Sequence, residues 1–128
     1  MRFMLMVIPK AYENAEADFT PPVDLVEKMM AFNKSLGDAG VLLGLDGLAP
    51  PATGARVRFG GGRPTVIDGP YIESKELVGG YWMIQVRSQE DAIEWAKRAP
   101  MLDGDMIEVR KVQELSEFPD EIQKALGR

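Results

Sequence analysis

The chain contains no cysteine and no histidine. Without cysteine there can be no disulfide, no thiolate nucleophile, and no Cys-ligated zinc or iron–sulfur cluster. Without histidine, Ser-His-Asp and Cys-His chemistry is excluded, together with imidazole-held metal or haem. Carboxylate, lysine, arginine, tyrosine and hydroxyl chemistry remains. Long apolar runs are missing too: none approaches the roughly 20 residues of a membrane helix. Residues 1–8 are apolar apart from Arg2, but they are too few for the apolar stretch of a secretion signal, and Pro9 follows. A cytoplasmic protein is expected. Clustered positive charge is also absent. Twenty acids against fifteen bases leave a net charge of −5, and the bases are spread from Arg2 to Arg128 without forming a stripe. Backbone binding to nucleic acid needs clustered cations, so no nucleic-acid partner is expected. Asp103 and Asp105 around Gly104 are too few for a calcium loop, and no metal or cofactor is expected.

What is present suits one domain with its own core: 128 residues, 45% hydrophobic and 27% charged. Residues 3–8 are large and apolar, of a length for a strand buried on both faces. Residues 9–20 mix Pro, Glu, Asn, Asp and Ala without period and read as an exposed loop. From Thr20, taken as an N-cap before Pro21 and Pro22, the residues Leu25, Met29, Phe32 and Leu36 recur at helical spacing, and Gly40 suits a left-handed C-terminal position. Residues 41–48 read as a second strand. Residues 56–59 and 65–68 form a hairpin around the Gly60–Pro64 turn. Residues 80–86 form an aromatic strand, and Ser88 caps a helix striped by Ala92, Trp95, Ala96 and Ala99. Residues 106–112 alternate as a half-buried strand, and a short helix follows Pro119. The order gives an α+β, ferredoxin-like split βαβ with an inserted β-hairpin: one antiparallel sheet, two helices on one face.

Two helices cover one face, yet Phe3, Leu5 and Val7 alternate with Met4, Met6 and Ile8, and Trp82, Ile84 and Val86 alternate with Tyr81 and Met83. Both faces read as apolar. A homodimer through the sheet face would cover the second; the alternative is that the hairpin and terminal helix fold back over it.

Residues 68–81 read Asp-Gly-Pro-Tyr-Ile-Glu-Ser-Lys-Glu-Leu-Val-Gly-Gly-Tyr, and here the chain resembles the YCII-related family, specifically its DGPF-domain subgroup. Ala-Gly-Val-Leu at 39–42, Gly-Leu-Ala-Pro at 47–50, the 91–96 segment before Pro100, and Ile-Glu-Val-Arg at 107–110 follow in the family's order. Tyr71 stands where the family usually has Phe. The likeness covers residues 1–112, with 113–128 as a C-terminal extension carrying the short helix. It implies a dimeric ferredoxin-like α+β barrel, related to small dimeric enzymes and to domains near extracytoplasmic-function sigma factors. It also aligns Asp68 with an Asp that, in relatives, pairs with a histidine as a suggested acid–base site. This chain has no histidine to complete that dyad.

Asp68 is the candidate catalytic residue. Its competing reading is structural, since Asp favours the first position of a turn and Gly69 tolerates conformations closed to other residues. Tyr71 and Tyr81 are candidate hydroxyl donors beside it. Glu73 and Lys75 form either a solvated loop or one that closes over a small anionic ligand; Arg58 and Arg110 are candidate strand-borne ligand clamps, with Arg110 equally able to pair with Glu108. Two functions follow as expectations. One is binding of a small organic molecule near the Asp-Gly-Pro turn, a cofactor-independent enzyme being one form of this. The other is a non-enzymatic interaction or regulatory module linked to a sigma factor.

Overall fold

A computed structural model describes residues 1–69 and 77–127. Strand β1 (Arg2–Ile8) lies inside a four-stranded antiparallel sheet with β2 (Leu42–Gly47), β5 (Gly80–Gln85) and β6 (Met106–Lys111), in the order β2-β5-β1-β6. Strands β3 (Ala55–Gly60) and β4 (Arg63–Asp68) form a separate two-stranded sheet between β2 and β5 in the chain. With helices α1 (Val23–Asp38) and α2 (Gln89–Lys97), this is the ferredoxin-like α+β arrangement.

Alternation along β1 assigns the two faces. Phe3, Leu5 and Val7 are buried toward the helices, in register with Ile84 and Trp82 of β5 and with Val109 and Ile107 of β6. Phe32 and Leu36 of α1 and Ala92 of α2 complete the core. Phe32 meets the Trp82 ring edge-on at 5.0 Å, and the Trp82 indole N–H donates to Asn33 Oδ1 at 2.7 Å, so a large aromatic is buried with its polar handle satisfied.

Local chemistry sets the ends of the elements. Gly40 takes φ 72°, with Val41 N–H bonded to Leu36 O and Gly40 N–H to Gly37 O, the paired bonds of a Schellman ending. Ser88 Oγ accepts the Asp91 N–H at 3.2 Å and opens α2. The start of α1 differs from the sequence reading. Thr20 is not the cap: Pro22 holds that position in an extended conformation, without a side-chain cap bond. A residue before proline is pushed out of the helical region, so Pro21 cannot join the first turn. The hairpin turn is also tighter than expected. Only Gly61 and Gly62 turn, both at positive φ, while Gly60 pairs with Arg63 and Pro64 sits in β4 opposite Phe59.

The far face of the sheet is mixed. Met4, Met6 and Met83 are half-buried at its centre; Asp46 and Tyr81 lie to one side, Glu108 and Arg110 to the other. The C-terminal segment continues from β6, with Val112 N–H on Arg2 O and the Arg2 guanidinium gripping both Glu114 oxygens at 2.7 and 2.9 Å. It ends in α3 (Asp120–Ala125).

Candidate functional site

The residues singled out from sequence do not form one cluster among the described residues. Asp68 is exposed at the end of β4, and the register places it on the Val57–Val66 face of the hairpin. Arg58 projects from the opposite face, across from Thr65. Tyr81 and Arg110 do share a face, that of the open sheet, with Met4 and Met6 between them. Tyr81 donates to Asp46 Oδ2 at 2.7 Å; this bond and the Asp46 charge hold its phenol above the ordinary tyrosine value. Arg110 Nη1 donates to Glu108 Oε2 at 3.1 Å, the ion pair that the two-residue spacing allows. Tyr71, Glu73 and Lys75 lie outside the described residues.

A different site emerges at the Val7 end of the sheet, where four connections close around a cavity of about 720 Å³. Its walls are mainly hydrocarbon and aromatic: Tyr12 and Phe19 from the loop after β1, Leu25 and Met29 from α1, Leu48 after β2, and Met101 before β6. The volume falls within the range of small-molecule sites. The loop after β1 was expected to be merely exposed; instead Tyr12 and Phe19 are half-buried and meet edge-on at 5.8 Å. That aromatic pair in a polar stretch was the signal available in the sequence.

Three contacts fasten this loop. Asp105 Oδ1 accepts the Lys10 backbone N–H at 2.8 Å while its Oδ2 accepts the Leu102 N–H at 2.9 Å, tying two walls together. The Tyr12 hydroxyl donates to Leu48 O at 2.6 Å, and burial raises its pKa, which keeps the proton in place for that bond. Gly79 admits the loop closely: a Cβ there would stand 2.7 Å from Pro9 Cγ and 3.2 Å from Tyr12 Cε2. At the rim, the Lys10 stem lies against Gly104, which takes φ 91°.

A smaller cavity of about 300 Å³ lies by Val41 and Trp95, with the Arg98 guanidinium 4.4 Å from the Trp95 ring centre. It is lined mostly by charged and polar side chains, among them Arg87, Asp91 and Glu94. Among the described residues, no three Asp or Glu side chains converge as a metal set, and no helix is long and apolar enough to cross a membrane.

The sequence profile of the YCII-related domain matches residues 1–116. The chain belongs to the YCII-related family. It is also similar to an uncharacterised protein of Rhizobium meliloti (strain 1021), 29% identical over 73 residues, which is 57% of this chain and 59% of that protein. The matched part thus spans less than two thirds of that relative. In this YCII-related protein the profile ends two residues past Glu114, so the Arg2–Glu114 clamp falls inside the family region and α3 outside it.

Proposed function

We propose that this YCII-related protein binds a small, predominantly apolar organic molecule in the 720 Å³ cavity. The observation that carries this reading is a roomy hydrocarbon-walled chamber assembled from four separate connections. Transfer of apolar ligand surface out of water into such a chamber is favourable by roughly 25 cal/mol per Å². The polar groups around it support holding rather than transforming a ligand: the Tyr12 proton is committed to Leu48 O, and both Asp105 oxygens are occupied by backbone N–H groups.

The test is a titration with N-phenyl-1-naphthylamine, a neutral probe that brightens in apolar surroundings. Saturable binding by the whole protein, weakened tenfold or more when Met29→Trp fills the chamber, is the expected result. Probe binding that ignores Met29→Trp, or no binding at all, would overturn the reading.

We further propose that the protein acts as a homodimer with the open sheet faces together. The half-buried thioethers of Met4, Met6 and Met83, set between the Tyr81–Asp46 and Arg110–Glu108 pairs, support this: they give an apolar centre with a polar rim.

A further inference from the structure

Three charged side chains border the apolar chamber: Lys10, Asp103 and Asp105. They are not equivalent. Both Asp105 oxygens are taken by backbone N–H groups, so its charge is answered within the wall. Asp103 is exposed at the turn that the Asp105 N–H closes on Leu102 O at 3.0 Å, and among the described residues no hydrogen bond or ion pair fastens its carboxylate.

Lys10 is held in two ways. Its backbone N–H is the one that Asp105 Oδ1 accepts, and its methylene stem is laid across Gly104, where a Cβ would stand 2.6 Å from Lys10 Cδ and 3.6 Å from both Cβ and Cε. Gly104 takes φ 91°, in the left-handed region that favours glycine, so the residue that makes the turn also leaves the lane for the stem. The stem lies along the rim and the ammonium stays at the edge of the water. Among the described residues that ammonium forms no hydrogen bond and no ion pair. A positioned cation without a counter-ion, beside hydrocarbon walls, is the layout in which one polar group fixes the orientation of an apolar guest.

We infer that the guest is an amphipathic monocarboxylic acid, its hydrocarbon body in the chamber and its carboxylate on the Lys10 ammonium. This rests on the proposed ligand chamber. The ammonium offers three N–H donors to the two carboxylate oxygens in a charge-assisted contact. The chain as a whole carries −5, and Asp103 and Asp105 stand nearby, so the surrounding field works against an anion. A preference for acids therefore comes from Lys10 alone, and one substitution erases it.

Displacement of N-phenyl-1-naphthylamine from the whole protein tests this with decanoate, 1-decanol and decylamine, which share one chain and differ only in the head. The ratio of acid to alcohol affinity is read within each protein, so a general weakening of the chamber in a variant cancels. The wild type is expected to bind decanoate about fivefold more tightly than decanol, with decylamine no tighter than decanol. Lys10→Arg keeps the acid preference, and Lys10→Met, which retains an unbranched stem, loses it. Equal affinity for acid and alcohol, an acid preference that survives Lys10→Met, or tighter binding of the amine would each overturn the head-group assignment and leave the chamber standing. A protein that binds neither the probe nor any decyl compound would overturn both.

Discussion

Asp105 accepts the backbone N–H of Lys10 at 2.8 Å, joining residues 95 positions apart. Its other oxygen takes the Leu102 N–H, so one carboxylate spans two walls of the cavity as a cap spans the first turn of a helix. Asp105→Ala removes both bonds. We expect about 1 kcal/mol of lost stability and a larger loss of probe affinity, because the wall after β1 is released. Equal probe affinity in wild type and variant would count against that loop being the wall.

Two glycines separate stability from binding. Gly40 sits at φ 72° with open space around it, so Gly40→Ala meets only a backbone cost of about 1 kcal/mol. Gly79→Ala instead drives a methyl into Pro9 and Tyr12. The expected outcome is that Gly40→Ala lowers Tm and leaves the probe Kd unchanged, whereas Gly79→Ala weakens probe binding severalfold. Matched denaturation and titration curves check this.

Helix α1 provides a contrast between its two sides. Leu36 is buried beneath α1, so Leu36→Ala is expected to cost about 2–5 kcal/mol through lost packing and the void left behind. Met30 on the same helix is exposed, and Met30→Ala should stay within about 0.5 kcal/mol. Urea unfolding of both variants measures the difference.

Acid should loosen the C-terminal segment. The Arg2 guanidinium lowers the Glu114 pKa through its hydrogen bonds, and the Lys111 ammonium does the same to Glu117. A carboxyl whose folded pKa lies below its unfolded value of about 4.3 adds stability above that pH, and the contribution disappears as pH falls through the folded value. The protection factor of the Val112 amide, bonded to Arg2 O, should therefore fall on acidification below pH about 4 more in the wild type than in Glu114→Gln. Parallel profiles would argue that the clamp contributes nothing.

The elements were largely legible because their signals are local. The alternation in β1, the Ser88 cap and Gly40 each act within a few residues, and each appears where the pattern put it, while the expected Gly60–Pro64 turn narrows to Gly61 and Gly62. Thr20 misled because a good cap residue was weighed without the constraint that Pro21 and Pro22 impose on their neighbours. The cavity was hidden for a different reason. Its walls come from connections far apart in the chain, and Asp105 gains its role only when the fold places it beside Lys10. The Asp-Gly-Pro motif drew notice through the family resemblance, yet Asp68 stands exposed on the hairpin and lines neither cavity.

Most of the chamber is enclosed by connecting segments, whereas the hydrophobic interior is made by strands and helices. Such segments tolerate insertion and exchange far better than packed elements do. Rewriting residues 9–22 and 100–105 would thus reshape the chamber at the cost of those segments' own fastenings, such as the Asp105 bonds, and leave the packing of the strand-and-helix interior as it is.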